Sequence, residues 1–370
     1  MSGPHRPTTV VLDAQSLSSV AAGSGIGRYT RHLVDALAER DDVDLLALCD
    51  RRIPVPPGVT RLTMQRLAHR PRLEVMEHSL RLPVEMLLRR PKGSVFHNPS
   101  YHAPLGIRAP RIQTLLDVIP LVSDSPDLDN LRTRWKRFGP RYRTAAAVIA
   151  ISQHAADEGV RVLGLDPSRV HVARLGVDAS FRPGADGPSD PPYLLVVGEF
   201  SRRKGFAEAF AVMDALVDAG YPHRLVVAGQ IHFWARQDLM ALREDARHPE
   251  RIEIRGFVPD LVSLYQGAAG YLMTSRYEGF GLPALEAMAC GVPVVAFANS
   301  AVTEVVGGGG ELVEDGNVTA MTAAIRQVID SPSLARERRG LGLKHAASFT
   351  WARSAAIHAE VYRSVAEEAT

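Results

Sequence analysis

One pattern is written twice in this 370-residue chain: an apolar run of strand type, a turn, an amphipathic helix, and another apolar run. The first copy opens with TVVLD (9–13), continues through AAGSGIGRY (21–29) into RHLVDALAERD (31–41), and reaches DLLALCD (44–50). Leu33, Ala36 and Leu37 share one face of the intervening helix. Strand, turn, helix, strand is the first unit of a parallel sheet, because parallel neighbours need a crossover. SVFHN (94–98), RIQTLLD (111–117) and AVIAIS (147–152) read as further strands, and HVARLGVD (171–178) closes this half. RPGADGPSDPPY (182–193) has almost nothing to bury and reads as a linker. The pattern then restarts with YLLVVG (193–198) and the helix GFAEAFAVMDALVDAG, followed by HRLVVAGQ, RIEIRGFV, GYLMTS and VPVVAFA (292–298). At about 150 residues per domain, the length fits two. The expectation is two α/β domains, residues 1–185 and 186–345, facing a central cleft. The last stretch, 346–370, contains a helix with no strand after it.

Composition narrows the class. Hydrophobic residues make up 46% and charged residues 23%, an ordinary globular balance that excludes a disordered or collagen-like chain. Two cysteines, Cys49 and Cys290, make no disulfide framework and point to a reducing, cytoplasmic setting. The first residues lack an apolar signal core, and no run reaches the ~18 apolar residues of a membrane span. Charge is unevenly spread. Residues 1–185 carry 26 Lys and Arg against 18 Asp and Glu, while residues 186–370 carry 17 against 23. The front half therefore suits an anionic partner, and solvated basic helix faces are the plain alternative.

The most informative stretch is SRYEGFGLPALEAMACGVP (275–293). Pro283 suits the first turn of a helix, where its missing N–H costs nothing. That helix is expected over 283–290, with Gly291 as a left-handed cap and Pro293 preventing continuation. Gly279-Phe280-Gly281 precedes it, and glycines let backbone amides approach a ligand. A glycine turn feeding a helix N-terminus is an anion site that fits a diphosphate. Glu278 and Glu286 flank that position eight residues apart, with Glu286 expected in the first helical turn. A carboxylate beside a phosphate is repelled, so each should have another task, such as accepting hydrogen bonds from sugar hydroxyls. The plainer readings are dipole compensation for Glu286 and a solvated loop charge for Glu278.

A second element agrees. VVGEFSRRKGF (196–206) is strand, Gly198, short loop and helix, with Arg202, Arg203 and Lys204 consecutive. At the carboxyl edge of a parallel sheet they point toward the ligand crevice and can neutralise a diphosphate. Cations at a helix start are disfavoured by the dipole, which strengthens the case for an anionic ligand.

These residues resemble retaining glycosyltransferases of family 4, which have the GT-B fold, and most closely a mannosyltransferase-like branch. The match runs along nearly the whole chain. It includes VLDAQSL, GSGIGRYTRHLVDAL, VIAISQHAADEGVRVLGLDPSRVHVARLGVD, VVGEFSRRKGF, RIEIRGFVPDLVSLYQGAAGYL, SRYEGFGLPALEAMACGVPVVA and the closing FTW. The resemblance implies two Rossmann-like domains, acceptor-side and donor-side, and a C-terminal helix packing back on the first. It implies that Arg203 and Lys204 stabilise a leaving nucleoside diphosphate and that Glu278 binds the donor sugar's hydroxyls. Gly279, Phe280, Gly281 and Leu282 would hold sugar and phosphates through their amides, and Glu286 would bind the ribose. Val258 matches the segment that contacts the base, and Gly25 and Gly27 match a glycine loop near the phosphates. Two positions depart from the pattern. Glu199 stands where many members have Arg, and Leu116 stands where many have a His before Asp117. His97 or His102 is a candidate for that histidine's place on the acceptor side.

The implied reaction moves a sugar from a nucleotide-diphosphate sugar to an acceptor hydroxyl with retention, GDP-mannose being favoured and UDP- or dTDP-sugars remaining open. No cofactor and no metal are expected, because fixed cations stand where charge builds on the leaving group. Residues 61–92 carry eight basic and three acidic residues, and LRTRWKRFGPRYR (131–143) carries six basic ones with Trp135, Phe138 and Tyr142 between them. These stretches suit an anionic or lipid-linked acceptor and peripheral contact with the inner membrane face, or else solvated helices with aromatics turned inward. No nucleic-acid motif accompanies the charge. A non-catalytic or accessory relative and a sugar-nucleotide epimerase are the alternatives. A phosphorylase would need a lysine for pyridoxal phosphate, and no such motif is present. Base, sugar, acceptor and oligomeric state stay open at this level.

Overall fold

The computed structural model describes residues 6–18, 25–63, 94–101, 109–123, 128–185, 187–231 and 235–369. The chain divides into two compact units. The first takes in the described residues up to Ser123, Leu128–Gly176 and those from Trp351 onward; the second takes in those of Val177–Thr350.

The first unit is built on a sheet of β1 (Thr8–Asp13), β2 (Val43–Cys49), β3 (Thr60–Thr63), β4 (Val95–Asn98), β5 (Arg111–Leu115), β6 (Ala147–Ala150) and β7 (Val170–Val172). Their spatial order is β3-β2-β1-β4-β5-β6-β7, and every neighbouring pair is parallel. The order reverses between β1 and β4. β3 lies outside the expected strands. The helix Gly25–Ala38 turns Tyr29, Leu33, Val34 and Leu37 inward, at the spacing of one helical face. Ala36, expected on that face, is only half-buried.

The second unit carries β8 (Tyr193–Val197), β9 (Arg224–Ala228), β10 (Ile252–Gly256), β11 (Gly270–Met273), β12 (Val294–Ala298) and β13 (Glu311–Glu314). The order is β10-β9-β8-β11-β12-β13, again all parallel. All five residues of β8 are buried, as befits a central strand covered on both faces. β13 had no counterpart in the sequence reading. Phe206, Phe210, Met213 and Leu216 of the helix Phe206–Asp218 pack with Leu194, Val196, Leu225 and Val227 of the sheet.

The C-terminal helix Trp351–Glu368 belongs to the first unit and is tied to its sheet by a buried polar chain. The Ser354 carbonyl can only accept, so His358 Nδ1 donates to it (2.8 Å). His358 Nε2 then accepts from the Tyr29 hydroxyl (2.9 Å), and Tyr29 Oη from Thr114 (3.0 Å). Thr114 Oγ1 accepts from His97 Nε2 (2.8 Å), and His97 Nδ1 from Tyr362 (2.7 Å). Each link is satisfied with both rings neutral. No helix among the described residues is long and apolar enough to cross a membrane.

Candidate active site

In a doubly wound sheet, ligands bind beyond the carboxyl ends of the strands where the order reverses. In the second unit that place lies between β8 and β11. The loops leaving these two strands carry the residues that the sequence singled out.

After β8, Gly198 leads through Glu199 to the single helical turn Arg202–Lys204. Gly205 then takes φ +64°, and a Cβ there would overlap the Thr274 carbonyl oxygen at the end of β11. Only glycine allows so close an approach. Thr274 Oγ1 donates to the Lys204 carbonyl (3.0 Å), and the Arg276 amide donates to the Arg203 carbonyl (2.9 Å). The two loops are thus stitched together by their main chains. The Lys204 side chain folds across Gly198, whose added Cβ would lie 3.3 Å from the lysine Cε.

These stitches bring three charges to one point. Lys204 Nζ donates to Glu278 Oε1 (2.5 Å), and Arg203 Nη1 donates to Glu278 Oε2 (3.2 Å) and to the Tyr277 carbonyl (2.8 Å). Glu278 is only 8% exposed, so it is not a solvated loop charge. Burial pushes its carboxyl up, but Lys204 and Arg203 outweigh this and hold it at about 2. Burial lowers the Lys204 ammonium from its ordinary value, against the opposing pull of Glu278. The carboxylate is ionised at neutral pH. Two positive groups and one fixed negative group can receive a phosphate on one side and sugar hydroxyls on the other.

The helix that follows spans Leu282–Ala289, so its first residue is Leu282 rather than Pro283. Gly281, at φ +107°, precedes it. At the far end Gly291 takes φ +75°; its amide donates to the Met288 carbonyl and that of Val292 to Ala287, both at 2.9 Å. That is the expected left-handed cap. Glu286 is corrected by one residue, which takes it out of the first helical turn. It is the fifth helical residue, 1% exposed, and Oε2 accepts from the Tyr265 hydroxyl (3.1 Å). So deep a carboxylate is not a surface compensator of the helix dipole. Phe280 is buried edge-on against Phe349 (6.0 Å between centroids). Val258 is half-buried beyond β10, after Gly256 at φ +67°, while its neighbour Phe257 is 72% exposed.

Gly198, Arg203, Lys204, Glu278, Gly279–Leu282, Glu286 and Val258 therefore belong to one unit. Gly25 and Gly27 belong to the other, where they form the first turn of a helix instead of a loop. His97 is also there, and its expected acceptor-side role does not survive its surroundings. It is fully buried, and both ring nitrogens are engaged with Thr114 and Tyr362. His102 lies outside the described residues, as do residues 64–92 of the basic stretch. Asp117 is half-buried beyond β5 and accepts from the Tyr101 hydroxyl (2.6 Å) and the Ile119 amide (3.0 Å). Leu116 is buried.

Sequence reasoning passed over Tyr265, Asn299 and Ser300, whose polar contacts to the site come from distant segments and have no local signature. Among the described residues, no three His, Cys, Asp or Glu side chains gather as a metal site.

Two family models match the chain in succession: Glycosyltransferase Family 4 over residues 23–181 and Glycosyl transferases group 1 over residues 179–341. The chain is 27% identical to O-antigen chain mannosyltransferase B of Escherichia coli, over 89% of this chain and 93% of that protein. It is 30% identical to alpha-maltose-1-phosphate synthase of Mycolicibacterium smegmatis, over 74% and 79%. Sucrose-phosphate synthase from Thermosynechococcus elongatus superposes with a TM-score of 0.80 at 22% identity, over 98% and 100%. With two parallel sheets and a charged cluster at a carboxyl edge, the chain belongs to glycosyltransferase family 4 and has the GT-B fold.

Proposed function

We propose that this glycosyltransferase moves a mannosyl residue from GDP-mannose to an acceptor hydroxyl, with retention of configuration and without a metal. The observation that carries the reading is the buried meeting of Lys204, Arg203 and Glu278 at the β8–β11 reversal. As the glycosidic bond breaks, negative charge grows on the diphosphate. Lys204, Arg203 and the amides at the start of the helix Leu282–Ala289 would face that charge. Glu278, ionised throughout, accepts from sugar hydroxyls and does not serve as a proton donor. The leaving phosphate takes the proton of the incoming hydroxyl on the face it has just vacated, which accounts for retention. Glu286 binds the ribose, and Val258 lies against the base. The preference for mannose draws on the Escherichia coli relative.

We assign an anionic or lipid-linked acceptor, met at a membrane surface on the cytoplasmic side. In the helix Asp129–Phe138 and the turn after it, Arg134, Lys136, Arg137 and Arg143 are exposed, while Trp135 and Tyr142 are buried. Contact with such a surface is therefore electrostatic, through the basic side chains, and not through inserted rings.

The test is release of free nucleoside diphosphate from GDP-mannose, UDP-glucose and dTDP-glucose in EDTA, with and without a polyprenyl-phosphate-linked acceptor. GDP-mannose should be cleaved fastest, EDTA should not slow it, and the product should be the α-anomer by NMR. Failure to cleave any of the three donors would favour a non-catalytic relative, the reading to which the buried Leu116 lends support.

A further inference from the structure

Ser300 is the one non-glycine residue with positive φ among the described residues, at +41°. It starts the helix Ser300–Val306, directly after β12. An L-residue holds such a conformation only where its surroundings impose it, and these places cluster at functional sites. Here the strained backbone aims a hydroxyl. Ser300 Oγ accepts the amide N–H of Glu278 (2.9 Å) and donates to Asn299 Oδ1 (2.9 Å). Asn299 Nδ2 is anchored in turn on the Ser275 carbonyl (2.9 Å) and Asp315 Oδ1 (2.6 Å). The Ala301 amide donates to the Glu278 carbonyl (3.4 Å). Residues 300 and 301 therefore grip both polar groups of the Glu278 main chain.

We infer that Ser300 is a positioning residue for Glu278, kept strained so that Glu278 stays in place when its side-chain partners turn to the donor. The inference rests on the transferase reading above. Glu278 is held twice, by its side chain and by its main chain. Lys204 and Arg203 hold the side chain, and these are the cations a diphosphate would recruit. Once phosphate oxygens compete for them, the side-chain hold weakens. The main-chain hold through Ser300 involves no group that the diphosphate would recruit, and so it persists. Glycine would adopt φ +41° at no cost but would supply no hydroxyl. The serine trades stability for placement of the carboxylate that meets the sugar.

Ser300→Gly and Ser300→Ala separate the two effects. The measurements are the melting temperature, the affinity for GDP, UDP and dTDP, and the turnover of whichever donor in the three-member panel the wild type cleaves fastest. Ser300→Gly relieves the strain but loses both hydroxyl hydrogen bonds, so it should melt above Ser300→Ala, which loses the same bonds at the same strained φ. Ser300→Ala keeps the strain and should melt no higher than wild type. Both should lose roughly ten- to a hundredfold in kcat, because the carboxylate drifts from the sugar. Both should keep wild-type affinity for the nucleoside diphosphate, because Lys204, Arg203 and the helix amides are intact. A residue that only supported the fold would lower melting temperature, affinity and turnover together, and that result overturns the inference. So does wild-type turnover in either variant. If the wild type itself cleaves none of the three donors, the transferase reading fails and this inference with it. An active wild type beside equally active variants refutes this inference alone.

Discussion

Lys204 Nζ lies 2.5 Å from Glu278 Oε1, although 74 residues separate them in the chain. Both side chains are about nine-tenths buried. Two charges so placed have lost most of their hydration, and each depends on the other for compensation. Removing one partner of a buried pair costs roughly 3–5 kcal/mol, chiefly through the charge left behind. Lys204→Ala leaves Glu278 with Arg203 at 3.2 Å, which places the loss near the lower bound. Adding Glu278→Gln neutralises the orphaned charge, so the double variant should recover part of that loss. Urea unfolding of the four proteins in the cycle should give a coupling of about 1–3 kcal/mol. Strict additivity would mean that the two side chains do not meet.

Ligand binding supplies a second reading of the same lysine. If Lys204 faces phosphate, Lys204→Ala should weaken GDP binding far more than guanosine binding, because only the former carries the anion. Calorimetric titration of both ligands decides it. Equal losses would remove Lys204 from the phosphate site.

Glu278 sets an acid limit on the second unit. Its carboxyl sits at about 2 in the folded chain against an ordinary 4.5. A lowered carboxyl contributes stability above 4.5 and loses it as pH falls from 4.5 toward 2, because the unfolded chain takes up the proton first. The contribution at neutral pH is roughly 3 kcal/mol. Glu278→Gln removes the titration, so wild type and variant should converge in stability as pH drops through that window. A gap that stays constant between pH 6 and pH 3 would show that the carboxyl is not held low.

Gly205 joins the cationic turn to the helix Phe206–Asp218. Its φ of +64° already disfavours any L side chain, and an alanine methyl would overlap the Thr274 carbonyl oxygen. Gly205→Ala should cost at least about 2 kcal/mol and push the Lys204 turn away from β11. Chemical denaturation measures the first effect and weakened GDP binding the second. A neutral substitution would show that the β8 and β11 loops are not in contact.

The parallel strands were legible because buried parallel strands are written as continuous apolar runs, such as YLLVV of β8. β3 (TRLT) and β13 (ELVE) were not, because each is four residues long with a polar residue at both ends, which leaves no apolar run to read. The turn at 279–281 and the cap at Gly291 were readable from glycine and proline chemistry. Glu286 moves by one residue, from the fourth helical position to the fifth, because a helix start is uncertain by a residue or two. The Lys204–Glu278 pair was anticipated only as two separate motifs, since neither loop encodes the other. His97 was misread for the opposite reason. A histidine on an apolar strand looks alike whether it faces a ligand or a tyrosine, and Tyr362 lies 265 residues away.

The chain of hydrogen bonds through that histidine makes the stability of the first unit depend on pH. His358 is held at about 4 by burial, against an ordinary 6.5, and His97 is also pushed well down by burial and then by the neighbouring His358. Both rings are therefore neutral in the fold, while an unfolded chain protonates them near 6.5. A lowered histidine contributes nothing to pH dependence above 6.5, and the folded state loses ground as pH falls from 6.5 toward 4. For His358 alone, the loss by pH 4 is roughly 3 kcal/mol. His358→Gln removes one of the two titrations, and its side-chain oxygen can still accept from Tyr29. Its stability should be lower than wild type at pH 7 and should decline less steeply between pH 6.5 and 4.5, a window above the Glu278 titration. Urea midpoints across that range measure the slope. A wild-type slope of zero would mean that the rings reach water and that the C-terminal helix is not held by this chain.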